Sequence, residues 1–174
     1  MYLLKCNNSY EQKVIELLLN KFANFTNEPQ RAYFSILSIT LSDKKIFIVL
    51  EKNKLVFDLP ISANNLFQKI IDLLKDHSVV FSDIKYFPYR QKLFYKNQTL
   101  SLSNIHNLIF QQLLLNLDLG VDKKSLYSLA WPNDKNVMPN KLDTHLTNLK
   151  NLILETLNFR ITFASQLGRI KLIN

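Results

Sequence analysis

The sequence predicts an α+β chain in two halves, a small α/β half over 1–77 and a half over 78–174 that alternates strands, helices and a closing hairpin. Three observations predict it. Apolar residues recur at helical spacing in five separate runs and at strand spacing in several others. Polar turns or prolines punctuate nearly every change of period. A hydrophobic content of 47% over 174 residues is ample for packed cores and argues against global disorder.

The elements follow in order. Tyr2–Cys6 is a short apolar run that reads as a strand. Ser9 caps an expected helix whose apolar face is Val14, Ile15, Leu17, Leu18, Leu19 and Phe22, and Pro29 ends that region. Ala32–Leu41, Ile46–Leu50 and Leu55–Leu59 are rich in β-branched and aromatic residues. The turns SDKK and EKNK separate them, so they read as a meander. Pro60 and Ser62 precede a helix from about Ala63 to Asp76, with Leu66, Ile70, Leu73 and Leu74 on one side. The link between the halves is short and lies near His77.

The second half begins with strands at Val79–Tyr86, Lys92–Tyr95 and Thr99–Leu102. Ser103 caps a helix expected to run to about Leu117, and Gly120 stops it. Asp122 caps a short helix ending near Trp131. Pro132 and Pro139 bracket a polar loop, and a third helix runs from about Asn140 to Leu157. Phe159–Phe163 and Arg169–Ile173 close the chain as a hairpin around Gly168. Three helices closed by a hairpin form a winged helix-turn-helix.

Charge and composition narrow the function. The formal net charge is +8, which suits nucleic acid or an acidic surface as partner. Eight Lys/Arg stand against five Asp/Glu from Leu102 onward, and fourteen against nine before it. The basic excess is therefore spread along the chain, which implies a multi-point footprint rather than a basic tail. Cys6 is the sole cysteine; an internal disulfide or a cysteine metal cluster is excluded, and a reducing cytoplasm is the expected setting. No run approaches 18 apolar residues and the start does not read as a signal peptide, so no membrane partner is expected. With two glycines there is no phosphate-cradling loop, and no nucleophile–base spacing or metal-ligand set appears. The chain is expected not to be an enzyme and to need no cofactor or metal.

The third helix of the second half has two faces. On a wheel of 100° per residue centred on Leu146, the side chains Leu142, Leu149 and Ile153 fall within about 60°. That stripe is expected to be core. Asn140, Lys141, Thr144, Asn148 and Asn151 lie opposite, with Thr147 beside them. Asn can contact adenine in bidentate fashion, Thr the thymine methyl, and Lys a phosphate or guanine. A merely solvated Asn/Thr face is the alternative on periodicity alone. Asp143 and His145, two residues apart on a helix, point away from one another and form no preassembled catalytic pair.

These residues carry a resemblance. Leu102-Ser103, Leu113-Leu114, the run Asp122-Lys-Lys-Ser-Leu126, Trp131, the run Leu142-Asp143-Thr144-His145-Leu146 and Leu149-Lys150 stand in ungapped register with the DNA-binding domain of OmpR/PhoB-type response regulators. The strands before Leu102 resemble that family's β platform. The resemblance implies double-stranded DNA as partner, with contacts from Trp131, Asn140, Lys141, Thr144, His145, Thr147, Asn148, Lys150, Asn151, Gln166 and Arg169. It also implies a contact with RNA polymerase through the loop 132–139. The sequence departs from the pattern in three places. His106 stands where the family has an acidic residue, the recognition helix is poor in arginine, and the wing turn is Ala164-Ser-Gln-Leu-Gly168-Arg169. Fewer arginines imply a shallower salt dependence.

The first half resembles a truncated, degenerate receiver. Tyr2 to Asn8 is similar to a first strand whose two terminal acids are both replaced by Asn, and Pro60–Lys75 is similar to a last helix with Leu59 in the place of a lysine. Asn supplies no charge to hold Mg²⁺ against a phosphoryl group. The resemblance therefore implies an atypical, phosphorylation-independent transcription regulator that dimerises through its N-terminal half. An unrelated small α/β domain is the alternative for that half. For the whole chain the alternative is a protein-interaction module that keeps the winged fold without specific DNA binding.

Overall fold

The computed structural model describes residues 2–5, 13, 37–42, 44–50, 52–134 and 138–173. The chain divides into two compact units, Met1–Asp76 and His77–Asn174. The expected helix after Ser9, apart from helical Lys13, lies outside the described residues, as do Cys6 and the acid-replacing Asn7 and Asn8.

In the first unit, β1 (Tyr2–Lys5), β2 (Leu37–Ser42), β3 (Lys45–Leu50) and β4 (Asn53–Asp58) form one sheet in the order β1-β2-β3-β4. β1 runs parallel to β2, and β2, β3 and β4 form the expected antiparallel meander. This departs from the all-parallel strand arrangement of a doubly wound sheet. Register decides the buried face. Ile39 pairs with Ile48 and Leu41 with Ile46, and all four are buried. Helix α1 (Ala63–Asp76) packs on β3 and buries Leu66, Ile70 and Leu74, a four-residue spacing that keeps them on one face. Ser62 Oγ accepts from the Asn65 N–H and satisfies one free donor of its first turn. On the other sheet face Lys54 Nζ lies 5.0 Å from the Phe47 ring centroid.

The second unit opens with an antiparallel sheet of four strands, β5 (Val79–Phe81), β6 (Ile84–Phe87), β7 (Lys92–Tyr95) and β8 (Gln98–Ser101). The sequence reading of Val79–Tyr86 as one strand is corrected. Phe81 pairs with Ile84, so Ser82-Asp83 is a tight turn, with Ser82 at φ 53°. The apolar residues on both sides hid it. Buried Tyr86 ties this sheet to helix α2 (Asn104–Leu115). Its hydroxyl donates to Asn107 Oδ1 at 2.6 Å, while Asn107 Nδ2 donates to the Pro88 carbonyl at 3.2 Å. The Tyr86 ring also meets Phe110 edge-on at 5.1 Å.

Ser103 caps α2 as expected, accepting from the His106 N–H, and the helix ends at Leu115, a little short of the expected Leu117. Asp122 caps α3 (Lys123–Ala130), accepting from the Ser125 N–H at 2.8 Å. Helix α4 (Pro139–Leu157) buries Leu142, Leu146, Leu149, Ile153 and Leu157. These are the stripe drawn from the sequence with one more turn added. α4 packs on β8 and α2, and α2 packs on α3.

Two further differences concern the wing. Phe159 and Ile161 are buried core residues rather than strand residues, and β10 begins at Thr162 (Thr162–Gln166). Their alternation imitates a strand, but Phe159 packs edge-on against Tyr95 at 4.9 Å. A two-residue strand absent from the sequence reading, β9 (Val121–Asp122), pairs with β11 (Arg169–Ile173), giving a three-stranded sheet β10-β11-β9. The unit is a winged helix-turn-helix. Platform β5–β8 precedes helices α2–α4, and the β10–β11 hairpin closes it.

Candidate nucleic-acid interface

α4 turns Asn140, Thr144, Thr147, Asn148 and Asn151 to solvent, the face expected from its period. The two threonines are oriented by the helix itself. Thr144 Oγ1 donates to the Asn140 carbonyl at 2.8 Å, and Thr147 Oγ1 donates to the Asp143 carbonyl at 2.9 Å. Their hydroxyl protons are thereby used, and each offers outward a methyl and oxygen lone pairs. The carboxamides of Asn148 and Asn151 find no partner among the described residues, so both donors and acceptor of each are available.

Besides Trp131, three of the expected contact residues engage partners within the fold. Lys141 donates to Asp134 Oδ2 at 2.7 Å, and its ammonium sits 4.6 Å from the Trp131 ring centroid. Asp134 also accepts from the Tyr127 hydroxyl at 2.9 Å, and that hydroxyl in turn accepts from the Met138 N–H at 3.2 Å. The Lys141 bond first, then the Tyr127 bond, hold the Asp134 carboxyl below its ordinary range. Trp131 itself stacks between Tyr127 (4.9 Å) and His145 (5.1 Å).

His145 is the second. Its ring meets His106 edge-on at 5.5 Å, and its Nδ1 is buried without a hydrogen-bond partner, as is His106 Nε2. Burial, then the His145 charge, push His106 below its ordinary value, so its neutral form is favoured. His145 therefore belongs to the α2–α4 packing and not to the outer face.

Arg169 is the third. Its Nε donates to the Leu119 carbonyl at 2.8 Å and its Nη2 to the Gly120 carbonyl at 2.7 Å. The guanidinium fastens the turn end of the wing to the α2–α3 turn. Gln166, at the end of β10, is exposed.

Asp143 pairs with Lys123 at 2.9 Å and not with His145. This pair closes one side of a cleft of about 220 Å³ between α4, the first turn of α3 and the wing. Lys150, Thr147, Thr162 and Ser165 supply its other polar lining, and Leu146, Phe163 and Ile170 its apolar lining. Two ammonium groups and three hydroxyls around one concavity suit a phosphate oxygen, with Asp143 balancing part of the charge. Lys123, Thr162 and Ser165 were not expected from the sequence. Lys123 follows a helix cap, where it reads as a solvated first-turn residue, and Asp143 lies twenty positions away. Among the described residues no group of three or more His, Cys, Asp or Glu could hold a metal ion, and no helix is long and apolar enough to cross a membrane.

No protein-family model and no curated protein matches the chain. Among solved structures it is similar to the C-terminal domain of the nisin resistance regulator NsrR, a lantibiotic response regulator. That likeness has 23% identity over 53% of this chain and 93% of that one, with a TM-score of 0.42. It is also similar to the DNA-binding domain of CpxR from E. coli, at 18% identity over 56% of this chain and 95% of that one, with a TM-score of 0.46.

Proposed function

We propose that this chain is a sequence-specific DNA-binding transcription regulator that lays α4 in the major groove of a duplex. The observation that carries this is the outer face of α4. Asn140, Thr144, Thr147, Asn148 and Asn151 are exposed on one rigid helix, and a lysine-lined cleft and a wing flank it. The amides supply paired donors and acceptors for adenine, the threonine methyls suit thymine, and the cleft takes a backbone phosphate. The loop 132–139, whose Asp134 bonds to Tyr127 and Lys141, is the segment assigned to RNA polymerase contact in this reading. The first unit serves dimerisation, and regulation does not pass through its phosphorylation. Leu59 in place of a lysine and the antiparallel β2–β4 meander support that part of the reading.

An anisotropy titration of a labelled AT-rich duplex pool tests this reading. Saturable binding that weakens with salt is expected, and its absence refutes the proposal. On a selected site, Asn148→Ala is expected to cost about 1–3 kcal/mol, and Lys150→Ala to reduce the salt slope by about 1. Acetyl phosphate should leave the affinity unchanged.

One observation favours a second reading, an interaction module without DNA specificity. Lys141 and Arg169, two cations of the expected interface, already bond to groups of the chain itself. Capture of a protein partner that is unaffected by Asn148→Ala, with no saturable DNA binding, would select it.

A further inference from the structure

The turn of the wing carries a residue that its conformation does not favour. Gln166 pairs with Arg169, so Leu167 and Gly168 alone make the turn, and both have positive φ (49° and 75°). Such hairpin turns favour Asn-Gly or Asp-Gly, because an L side chain with more than a short polar group is strained there. Five other described non-glycine residues have positive φ, namely Lys44, Ser82, Gln91, Lys96 and Asn158, and all are polar. Leu167 is the apolar exception. It is also 94% exposed, more than any other exposed large hydrophobic residue described. A leucine here has a backbone penalty and gains no burial, a combination that points to a role outside the isolated fold.

Its support is rigid and its neighbourhood is charged. The Gly168 carbonyl accepts from the Lys123 N–H at 2.9 Å, which ties the turn to the start of α3. The Arg169 guanidinium ties the next residue to the α2–α3 turn. Two residues before Leu167, Ser165 lines the cleft that Lys123 and Lys150 share with α4. The leucine thus projects from a braced hairpin beside groups suited to phosphate. Apolar side chains carried this way enter the minor groove and part adjacent base pairs, while nearby cations hold the backbone.

We propose that Leu167 is an apolar wedge that enters the minor groove next to the α4 site and unstacks one base step. The proposal rests on the DNA-binding reading and deepens it. An isobutyl group reads no hydrogen-bond pattern, so selection at this position comes from deformability. Flexible pyrimidine–purine steps, TA above all, are the substrate it fits.

The test uses the full chain and a duplex selected by it, with 2-aminopurine beside the step facing the wing and dyes at both ends for the bend. Wild type is expected to raise the 2-aminopurine fluorescence and shorten the end-to-end distance. Leu167→Asn suits the turn, so it should keep or raise the melting temperature, lose both signals and bind roughly tenfold more weakly. Leu167→Met keeps an apolar tip and should retain both signals. Wild type that binds with no 2-aminopurine change, or Leu167→Asn that binds and bends DNA like wild type, overturns the wedge while leaving the DNA reading in place. The latter result together with loss of a protein contact would assign Leu167 to a partner and overturns it equally. Wild type that binds no duplex removes both readings.

Discussion

The two glycines of the chain allow a controlled experiment on what anchors the wing. Both have positive φ, +66° at Gly120 and +75° at Gly168. Alanine at either position meets the left-handed penalty of roughly 1–2 kcal/mol. Reduced freedom of the unfolded chain offsets about 0.4–1 kcal/mol of it. The surroundings differ. A Cβ at Gly168 would meet nothing within 4 Å, whereas one at Gly120 would stand 2.7 Å from the Ile170 carbonyl oxygen and 3.2 Å from its carbon. Ile170 is in the central strand of its sheet, paired with Ser165 on one side and Val121 on the other. It cannot withdraw without breaking a ladder, so overpacking adds about 1–3 kcal/mol. Gly168→Ala should therefore cost about 1 kcal/mol or less, with no clash to add. Gly120→Ala should cost about 2–4 kcal/mol. For a unit of this size the gap corresponds to roughly 5–20 °C in Tm. Thermal melts followed by circular dichroism, backed by urea titrations, read it directly. Equal losses in the two variants, or a neutral Gly120→Ala, would refute the claim that backbone contact with β11 holds the α2–α3 turn.

Other expectations come from buried polar groups. Tyr86→Phe removes the donor to Asn107 Oδ1 and leaves a buried acceptor unmet, so it should destabilise by about 1–3 kcal/mol; an unchanged urea midpoint would contradict that. His106 has its folded pKa depressed, chiefly by burial. Below about pH 6.5 the unfolded chain takes up the proton while the folded chain resists it, so the unfolded state binds more protons. Stability is full above that pH and falls as the solution is acidified through the window below it. His106→Gln should flatten this decline between about pH 7.5 and pH 5, and an identical slope in the variant would assign it to another group. Leu149, fully buried on α4, should cost about 2–5 kcal/mol as Leu149→Ala, measured by the same denaturation.

Much of the fold was legible because its signals are local. The caps Ser103 and Asp122 sit next to the helices they start. α1, β7 and β11 coincide with their expected spans, since period and punctuation lie within each segment. The buried stripe of α4 and its outer amides follow from helical geometry alone. What escaped depends on partners distant in sequence or on turns without glycine. Ser82 turns the chain inside an apolar run, and Phe159 imitates a strand while packing on Tyr95. Val121 becomes a strand only because β11 arrives beside it. Lys141, His145 and Arg169 engage partners within the fold for the same reason. Their partners Asp134, His106 and the Leu119 carbonyl are set by tertiary packing, which no window of sequence contains. The cleft escaped likewise, since it exists only where three elements converge.

Lys123 has a consequence of its own. Its backbone N–H holds the wing turn while its ammonium holds Asp143 on α4, so one residue joins the two parts of the molecule that would straddle a nucleic-acid strand. These two bonds set a preferred span between helix and wing, and the exposed ion pair biases that span without locking it. A flexible wing could close on any groove width. On the DNA-binding reading, a wing held this way favours one groove width, so duplexes that differ in groove dimensions would be sorted in part before any base edge is touched.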